Sequence, residues 1–192
     1  MVHKFKPENK HKLDNPQRRK LLPPEETLRR LGLKVGDSIA DIGCGIGYFT
    51  LPAAWIVGSQ GKVYGLDIMV EMIEETKRKV GENHLTNVEL LQVKENDFML
   101  AERTVRYAFA CLVAHEAADL LAFFREAARI LKPAGRITII EWNKQHSLVG
   151  PPLEHRLDSK DVAALLLQCE FTNIEQVALN SEMYAVTAEK AK

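Results

Sequence analysis

Three glycines stand at alternate positions directly after an acid in the stretch IADIGCGIGYFT, residues 39–50. The acid is Asp41, and the glycines are Gly43, Gly45 and Gly47. Glycine adopts positive φ readily and has no Cβ, so such a loop can turn sharply and let a ligand approach its main chain. A helix that follows the loop would add free N–H groups and the positive end of its dipole. The spacing therefore predicts a cradle for a ligand that carries a carboxylate or a phosphate.

Two common nucleotide-binding loops do not match this stretch. The dinucleotide fingerprint GxGxxG would need its last glycine where Tyr48 or Thr50 stands. A P-loop would need Gly-Lys followed by Ser or Thr, and that triplet is absent. Asp67 ends a second apolar segment, twenty residues after Gly47, and could accept both hydroxyls of a ribose. A nicotinamide cofactor would also favour such an acid. Asp67 by itself therefore does not tell which cofactor binds, and it does so only together with the GxGxG spacing.

The pattern D-x-G-x-G-x-G resembles the first motif of the class I S-adenosylmethionine-dependent methyltransferases. RILKPAGRITIIEW (129–142) is similar to the helix, turn and fifth strand of that family, usually written L-K-P-G-G, with Ala134 in place of the first glycine. LVAHEAAD (112–119) and GPPLEHRLDSKDV (150–162) resemble segments of small bacterial members related to the quinone-biosynthesis C-methyltransferases. The resemblance covers residues 12 to 188. It implies S-adenosyl-L-methionine as the cofactor and methyl transfer to a small molecule as the activity.

The resemblance also implies roles for residues of the loop and of the second strand's end. Asp41 should lie near the ammonium of the methionine part, and the glycine main chain should lie against that part, whose carboxylate can be met by backbone donors. Asp67 should bind the ribose, and Ile68 should pack near the adenine. The implied cofactor-binding residues of these two segments are Asp41, Gly43, Cys44, Gly45, Gly47, Asp67 and Ile68.

The expected adenine contact departs from the family pattern. Relatives commonly have G-D-A after the third strand, where the acid reaches the adenine amino group. This chain has Val93-Lys94-Glu95-Asn96-Asp97 there, with Lys94 at the position of the acid. Glu95 is the favoured substitute for that acid, and Asn96 is the alternative, as is a loop shifted by one residue.

Three residues near the ends of the fourth and fifth strands are candidates for proton transfer: His115, Glu116 and Glu141. The methyl group of a sulfonium is already activated, so positioning and desolvation can supply much of the acceleration. A base is needed only if the acceptor must lose a proton, and a histidine suits that task near neutral pH. The alternative for His115 is a helix-entry residue bonded to nearby backbone, and the alternative for Glu116 is interaction with the positive end of a helix.

Apolar segments that alternate with helical ones must position these residues. Strands are predicted at 38–43, 62–68, 87–93, 105–113, 135–142, 172–180 and 183–190, and helices at 25–33, 48–58, 70–82, 119–132 and 159–170, the last with Ser159 as its N-cap. Alternating strands and helices imply parallel pairing through right-handed crossovers. We therefore predict an α/β fold: a doubly wound, mostly parallel seven-stranded sheet with a C-terminal antiparallel hairpin, as in Rossmann-like methyltransferases. Ligands of such sheets bind at the carboxyl ends of the strands.

Length and composition favour one domain with a small-molecule substrate. The 192 residues divide into a predicted helical lid, residues 1–35, and a methyltransferase domain, residues 36–192. Lys plus Arg and Asp plus Glu number 26 each, which argues against nucleic-acid or membrane partners, although the first 30 residues are basic. The absence of a signal-like segment and of paired cysteines predicts a cytoplasmic protein without a metal site. The oligomeric state stays open, and the alternatives are a nicotinamide-dependent oxidoreductase and a non-catalytic cofactor-binding module.

Overall fold

The apolar segments pair as one seven-stranded sheet in the computed structural model, which describes residues 13–147 and 150–192. The strands are β1 (Ser38–Ile42), β2 (Lys62–Asp67), β3 (Val88–Gln92), β4 (Val105–Cys111), β5 (Leu131–Trp142), β6 (Phe171–Ala178) and β7 (Met183–Lys190). The helices are α1 (Pro16–Leu21), α2 (Pro24–Arg30), α3 (Thr50–Val57), α4 (Val70–Glu82), α5 (Leu120–Ile130) and α6 (Ser159–Gln168).

The strand order is β3-β2-β1-β4-β5-β7-β6, which confirms the predicted fold class. Strands β1 to β5 pair in parallel, and β7 runs antiparallel to both β5 and β6. The chain moves from β1 outward to β3 and then returns to the other side of β1 with β4, so the carboxyl end of β1 is the switch point where such sheets bind ligands. Because Ile42 pairs with Leu66 in register, the loop after β1 and the acid that ends β2 meet at this edge.

Two hydrophobic clusters cover the two faces of the sheet. Successive residues of a strand point to opposite faces, and accordingly Ile39 belongs to one cluster and Ala40 to the other. Helices α5 and α6 contribute to the cluster that contains Ala40, for example through Phe124, and helices α2 and α3 contribute to the cluster that contains Ile39, for example through Leu28. Packing on both faces holds the strand ends in place at the switch point.

The N-terminal part differs from the sequence prediction by one additional helix. Helix α1 was not predicted, although Asn15 caps it by accepting a hydrogen bond from the Arg18 N–H at 2.9 Å and Pro16 occupies its first turn. The predicted lid, residues 1–35, is described from residue 13 onward, and residues 1–12 lie outside the described part. Its separation from the domain therefore stays a prediction.

Two local predictions in the second half of the chain need correction. The N-cap of α6 is Asp158, whose carboxylate accepts from the Lys160 N–H at 2.9 Å, and Ser159 is already helical. Strand β5 begins at Leu131, four residues earlier than predicted, with an irregular register beside β4. Ala134 has a φ of 56° in this segment, a value that the family's usual glycine would adopt with less strain.

Candidate functional site

A cavity of about 290 Å³ opens at the carboxyl ends of β1, β2 and β4. Its size lies at the lower end of the range of small-molecule sites. The predicted cofactor-binding residues that line it are Asp41, Gly43, Cys44, Gly45, Asp67, Ile68 and Glu95. Gly47 and the exposed Asn96 lie outside its lining. The loop after β1 and the acid of β2 therefore share one cavity, as the strand register requires.

The three glycines of the loop all have positive φ, but they serve different purposes. Their φ angles are 72° at Gly43, 54° at Gly45 and 81° at Gly47. A Cβ at Gly43 would come within 2.6 Å of Val113, and one at Gly47 within 2.7 Å of Leu51, so these two positions must stay bare for the loop to pack. Among the described residues, a Cβ at Gly45 would meet only the end of the Leu13 side chain, at 3.2 Å, and Leu13 itself lines the cavity. Gly43 and Gly45 both line the ligand space, and Gly45 is the one of the two that packing of the described residues does not require to be bare.

Asp67 connects the glycine loop to the end of β2. Its Oδ2 accepts the Gly45 N–H at 2.9 Å, and its Oδ1 accepts the Met69 N–H at 2.9 Å. Burial raises the pKa of Asp67, and backbone N–H groups, first that of Met69, act against this rise. Each carboxylate oxygen has two lone pairs, so both can still accept a hydroxyl from a ligand. This chemistry fits the two hydroxyls of a ribose.

Helix α4 fixes the glycine loop from its other side. The Thr76 hydroxyl donates to the Gly45 carbonyl at 2.8 Å, and the Lys79 Nζ donates to the Ile46 carbonyl at 3.0 Å. Burial lowers the pKa of Lys79. Sequence reasoning missed both residues, because their spacing of three along α4 indicates only a shared helix face. They occupy loop carbonyls and so hold the loop in one conformation.

Asp41 is enclosed at the end of β1, with 2 % of its surface exposed. Its Oδ2 accepts a hydrogen bond from the Thr50 hydroxyl at 2.6 Å. Burial raises the pKa of Asp41 to about 7; the Thr50 hydrogen bond lowers it, nearby Asp67 raises it and Arg18 lowers it. A cation that enters the cavity beside Asp41 would favour its ionised form. This position suits the ammonium of an amino acid.

The segment after β3 borders the cavity with two charged residues. Lys94 and Glu95 both line it, and the Glu95 Oε1 accepts a hydrogen bond from the Ala118 N–H. Phe98 also lines the cavity, but it is fully buried and packs edge-on against Phe123 at 5.5 Å between ring centroids. The predicted adenine contact of Glu95 stays a prediction.

The catalytic candidates separate into a hydrogen-bonded pair outside the cavity lining and an acid that belongs to the lining. His115 Nδ1 lies 2.8 Å from Glu141 Oε2, and the His115 N–H donates to Glu141 Oε1 at 3.2 Å. Both side chains are buried, with 5 % and 1 % exposed, and both residues lie outside the cavity lining, whereas Glu116 is part of it. Burial lowers the pKa of His115, but the Glu141 carboxylate, with a smaller contribution from Glu116, raises it, and the net direction is upward.

Two aromatic rings at this edge already face cations of the chain itself. The Arg156 guanidinium lies 5.7 Å from the Trp142 ring and donates to carbonyls of residues 143, 145 and 151. The Arg18 guanidinium lies 4.6 Å from the Tyr48 ring. These rings therefore bind protein cations in this structure.

Other kinds of site are missing from the described ranges. No group of three His, Cys, Asp or Glu residues among residues 13–147 and 150–192 could hold a metal ion. In the same part of the chain, no helix has the length and apolar character needed to cross a membrane. The three cysteines, Cys44, Cys111 and Cys169, are free and buried.

The residues present fit the cofactor that the resemblance implies. The cavity offers an acid with acceptor capacity at the end of β2, a bare glycine backbone, and a buried acid that a cation would ionise. Most of its remaining lining is apolar, including Met72, Leu112 and Val113, which suits an adenine ring and a thioether chain.

Comparisons with known proteins agree with this fit. The sequence model of a family described as methyltransferase domain matches residues 33–191. A crystal structure of a SAM-dependent methyltransferase from Aquifex aeolicus is 34% identical and superposes with a TM-score of 0.92, covering 97% of this chain and 99% of that one. Phosphoethanolamine N-methyltransferase 2 of Haemonchus contortus, solved with S-adenosyl-L-methionine, is 16% identical with a TM-score of 0.74, covering 90% of this chain and 52% of that one, and shows the fold alone.

Curated relatives are longer than the region that they share with this chain. The demethylmenaquinone methyltransferase of Geobacillus sp. (strain WCH70) is 30% identical over 133 residues, which are 69% of this chain and 56% of that protein. That of Bacillus mycoides (strain KBAB4) is 30% identical over 126 residues, 66% of this chain and 53% of that protein. The chain thus spans about half the length of the curated relatives that it matches.

Proposed function

Because the chain belongs to the class I S-adenosylmethionine-dependent methyltransferases, we propose that it transfers a methyl group from S-adenosyl-L-methionine to a small-molecule acceptor by in-line displacement. The observation that carries this proposal is the bond between Asp67 Oδ2 and the Gly45 N–H at 2.9 Å inside one cavity. It joins the acid suited to a ribose to the bare backbone suited to an amino-acid tail. The balance of charges supports a small molecule rather than a nucleic acid as partner, and cytoplasmic location is part of the proposal.

The residues of the cavity divide between the two ends of the cofactor. Asp67 accepts the ribose hydroxyls, and Ile68 and Glu95 border the adenine. Asp41 receives the ammonium of the methionine part, and Gly45 brings main chain against that part. When bound, the cofactor supplies a methyl group that its sulfonium already activates.

Acceptor activation falls to the residues at the ends of β4 and β5. Glu141 holds Nδ1 of His115 at 2.8 Å, which leaves Nε2 as the ring atom that takes a proton from an acceptor. Glu116, the neighbour of His115 in the chain, lines the cavity and places a carboxylate near the acceptor's entry. The apolar surface of Leu112, Val113 and Phe123 excludes water from the transfer and favours an acceptor with an apolar body.

Binding calorimetry tests the proposal with S-adenosylmethionine, S-adenosylhomocysteine and NAD as ligands. We expect both sulfur ligands to bind and NAD to show no binding. Replacing Asp67 with Asn should weaken the binding of both sulfur ligands by roughly a hundredfold, because a charged hydrogen-bond acceptor becomes a neutral amide. Asp97→Asn is a matched control. Asp97 Oδ1 accepts a hydrogen bond from the Met99 N–H at 3.1 Å, just as Asp67 Oδ1 accepts one from the Met69 N–H at 2.9 Å. Asp97, however, is exposed and lies outside the cavity lining.

Binding of NAD without either sulfur ligand would overturn the proposal and favour an oxidoreductase. Turnover is then measured with the wild-type protein, labelled S-adenosylmethionine and a panel of quinols, phenols, amines and thiols. Cofactor binding without transfer to any member of a broad panel would instead favour a non-catalytic binding module.

A further inference from the structure

Arg18 on α1 presents an unsatisfied donor at the cavity. Its side chain lines the cavity, and its Nε is fully buried without a hydrogen-bond partner among the described residues. A buried polar group without a partner is costly, and the cost is larger when the group is charged. The next residue, Arg19, is the opposite case, because both oxygens of Asp14 accept from its guanidinium at 2.6 and 2.7 Å. Within residues 13–147 and 150–192, Arg19 thus forms an ion pair with a carboxylate at hydrogen-bond distance, whereas Arg18 forms none.

The position of Arg18 identifies the end of the cavity that it serves. Its charge acts on Asp41, near the end of β1, and on Cys111, which ends β4 and whose thiol also forms a hydrogen bond with the Arg18 side chain. Asp67 ends β2, on the other side of β1 in the sheet order. With the sugar at Asp67, Arg18 therefore lies at the amino-acid end of the cavity.

The glycine loop and the C-terminal hairpin hold Arg18 in this position. The Tyr48 hydroxyl donates to the Leu22 carbonyl at 2.8 Å, just beyond the end of α1, and the Tyr48 ring lies under the guanidinium. Asn180 donates to the Leu21 carbonyl at 2.8 Å. A cation on a helix that is fastened at its end keeps its direction, so Arg18 stays at the lining of the cavity.

We infer that Arg18 binds the α-carboxylate of the cofactor's methionine part, beside Asp41, which receives its ammonium. The two side chains then match the two charges of the zwitterion, with a cation for the anion and an anion for the cation. A guanidinium suits this task because its planar fork can donate two parallel hydrogen bonds to one carboxylate. The inference rests on the proposed function, and it adds a side-chain contact to the backbone donors expected for this carboxylate.

The test compares S-adenosylhomocysteine with its decarboxylated analogue, S-adenosyl-3-thiopropylamine, which keeps the ammonium and lacks the carboxylate. In the wild-type protein, calorimetry should show the first ligand binding roughly 10- to 100-fold more tightly, as expected for a charge-assisted hydrogen bond. In Arg18→Ala this preference should fall by roughly tenfold, because the guanidinium's share is lost while the backbone donors remain, and the analogue loses nothing when the guanidinium is removed.

Two further variants separate recognition from folding. Arg19→Ala is the matched control on the same helix and should keep the wild-type preference. Arg18→Lys keeps the charge without the planar fork and should keep part of the preference. Circular dichroism of each variant establishes folding. The affinity for the decarboxylated analogue gives a second check, because a folded Arg18→Ala protein should bind this analogue within about twofold of the wild-type affinity.

The outcomes separate this inference from the proposed function. If the wild-type protein binds both ligands and Arg18→Ala or Arg18→Lys discriminates between them as well as the wild type does, Arg18 does not bind the cofactor's carboxylate. An effect of Arg18→Ala confined to the binding of an anionic acceptor would equally overturn the inference. Failure of the wild-type protein to bind S-adenosylhomocysteine at all would overturn the proposed function itself.

Discussion

Replacing Asp41 with Asn should stabilise the protein at alkaline pH while weakening cofactor binding. The unfolded chain releases the proton of this carboxyl near pH 3.8, whereas burial delays its release in the folded protein to about pH 7. Between these values the folded state holds more protons than the unfolded state, so raising the pH lowers the free energy of unfolding. Asparagine has the same shape as aspartate and does not titrate. The free energy of unfolding of the Asp41→Asn variant therefore does not fall in this way as the pH rises.

The magnitude follows from the shift of the pKa. A shift from 3.8 to about 7 is roughly three units, and at about 1.4 kcal/mol per unit it corresponds to roughly 4 kcal/mol over the whole range. Of this range, about two units lie between pH 5 and the folded-state pKa of about 7. Between pH 5 and pH 8 the free energy of unfolding of the wild type should therefore fall by roughly 3 kcal/mol because of Asp41. Any constant effect of the amide, including a weaker bond from the Thr50 hydroxyl, is the same at both pH values and cancels in the difference.

Urea unfolding of both proteins at pH 5 and pH 8, at one ionic strength, measures this difference. The advantage of Asp41→Asn over the wild type should be about 3 kcal/mol larger at pH 8. All other titratable groups, His115 included, are common to both proteins, and Asp97→Asn serves as a control substitution at an exposed position. Parallel stability curves for Asp41→Asn and the wild type would refute the reasoning, because they would mean that Asp41 is already ionised at pH 5.

Two further predictions concern the glycine loop and the base. Gly45→Val should weaken S-adenosylhomocysteine binding at least tenfold, because valine is strained at a φ of 54° and its side chain would push against Leu13. Gly36→Val is the control, because its φ of 81° gives similar strain in open space far from the cavity. This variant should bind S-adenosylhomocysteine as tightly as the wild type does. Equal affinities in the two variants would contradict the assignment of Gly45. His115→Ala should lower turnover roughly 10²- to 10⁴-fold with little change in cofactor affinity, whereas the exposed His84→Ala should change neither. Wild-type turnover should fall as pH drops below the raised pKa of His115, and unchanged turnover in His115→Ala would remove it from the mechanism.

The sheet and the centre of the cavity could be predicted because they depend on local patterns. Strand-end residues such as Asp41 and Asp67 meet wherever parallel strands end together, so a correct alternation of strands and helices also places them. The hydrogen bonds of Thr76 and Lys79 to the loop could not be predicted, because they depend on how α4 packs against residues about 30 positions away. Sequence reasoning named His115 and Glu141 separately, but their mutual bond requires the register between β4 and β5.

Under the proposed function, the electrostatic difference between the two acids would let one cavity bind a neutral sugar at one end and a zwitterion at the other. Asp67 receives backbone N–H groups on both oxygens, and these stabilise its charge before any ligand arrives. Asp41 receives one hydroxyl and is almost fully buried, so its charge stays costly even with Arg18 nearby, and a further cation beside it would lower that cost. At the proposed sugar end the backbone N–H groups therefore offset part of the cost of the Asp67 charge, although burial still raises its pKa, whereas Asp41 would gain further stabilisation of its charge from the ligand's ammonium. Binding at that end should accordingly release a proton near neutral pH, which links cofactor affinity to the same titration that lowers the stability of the free protein.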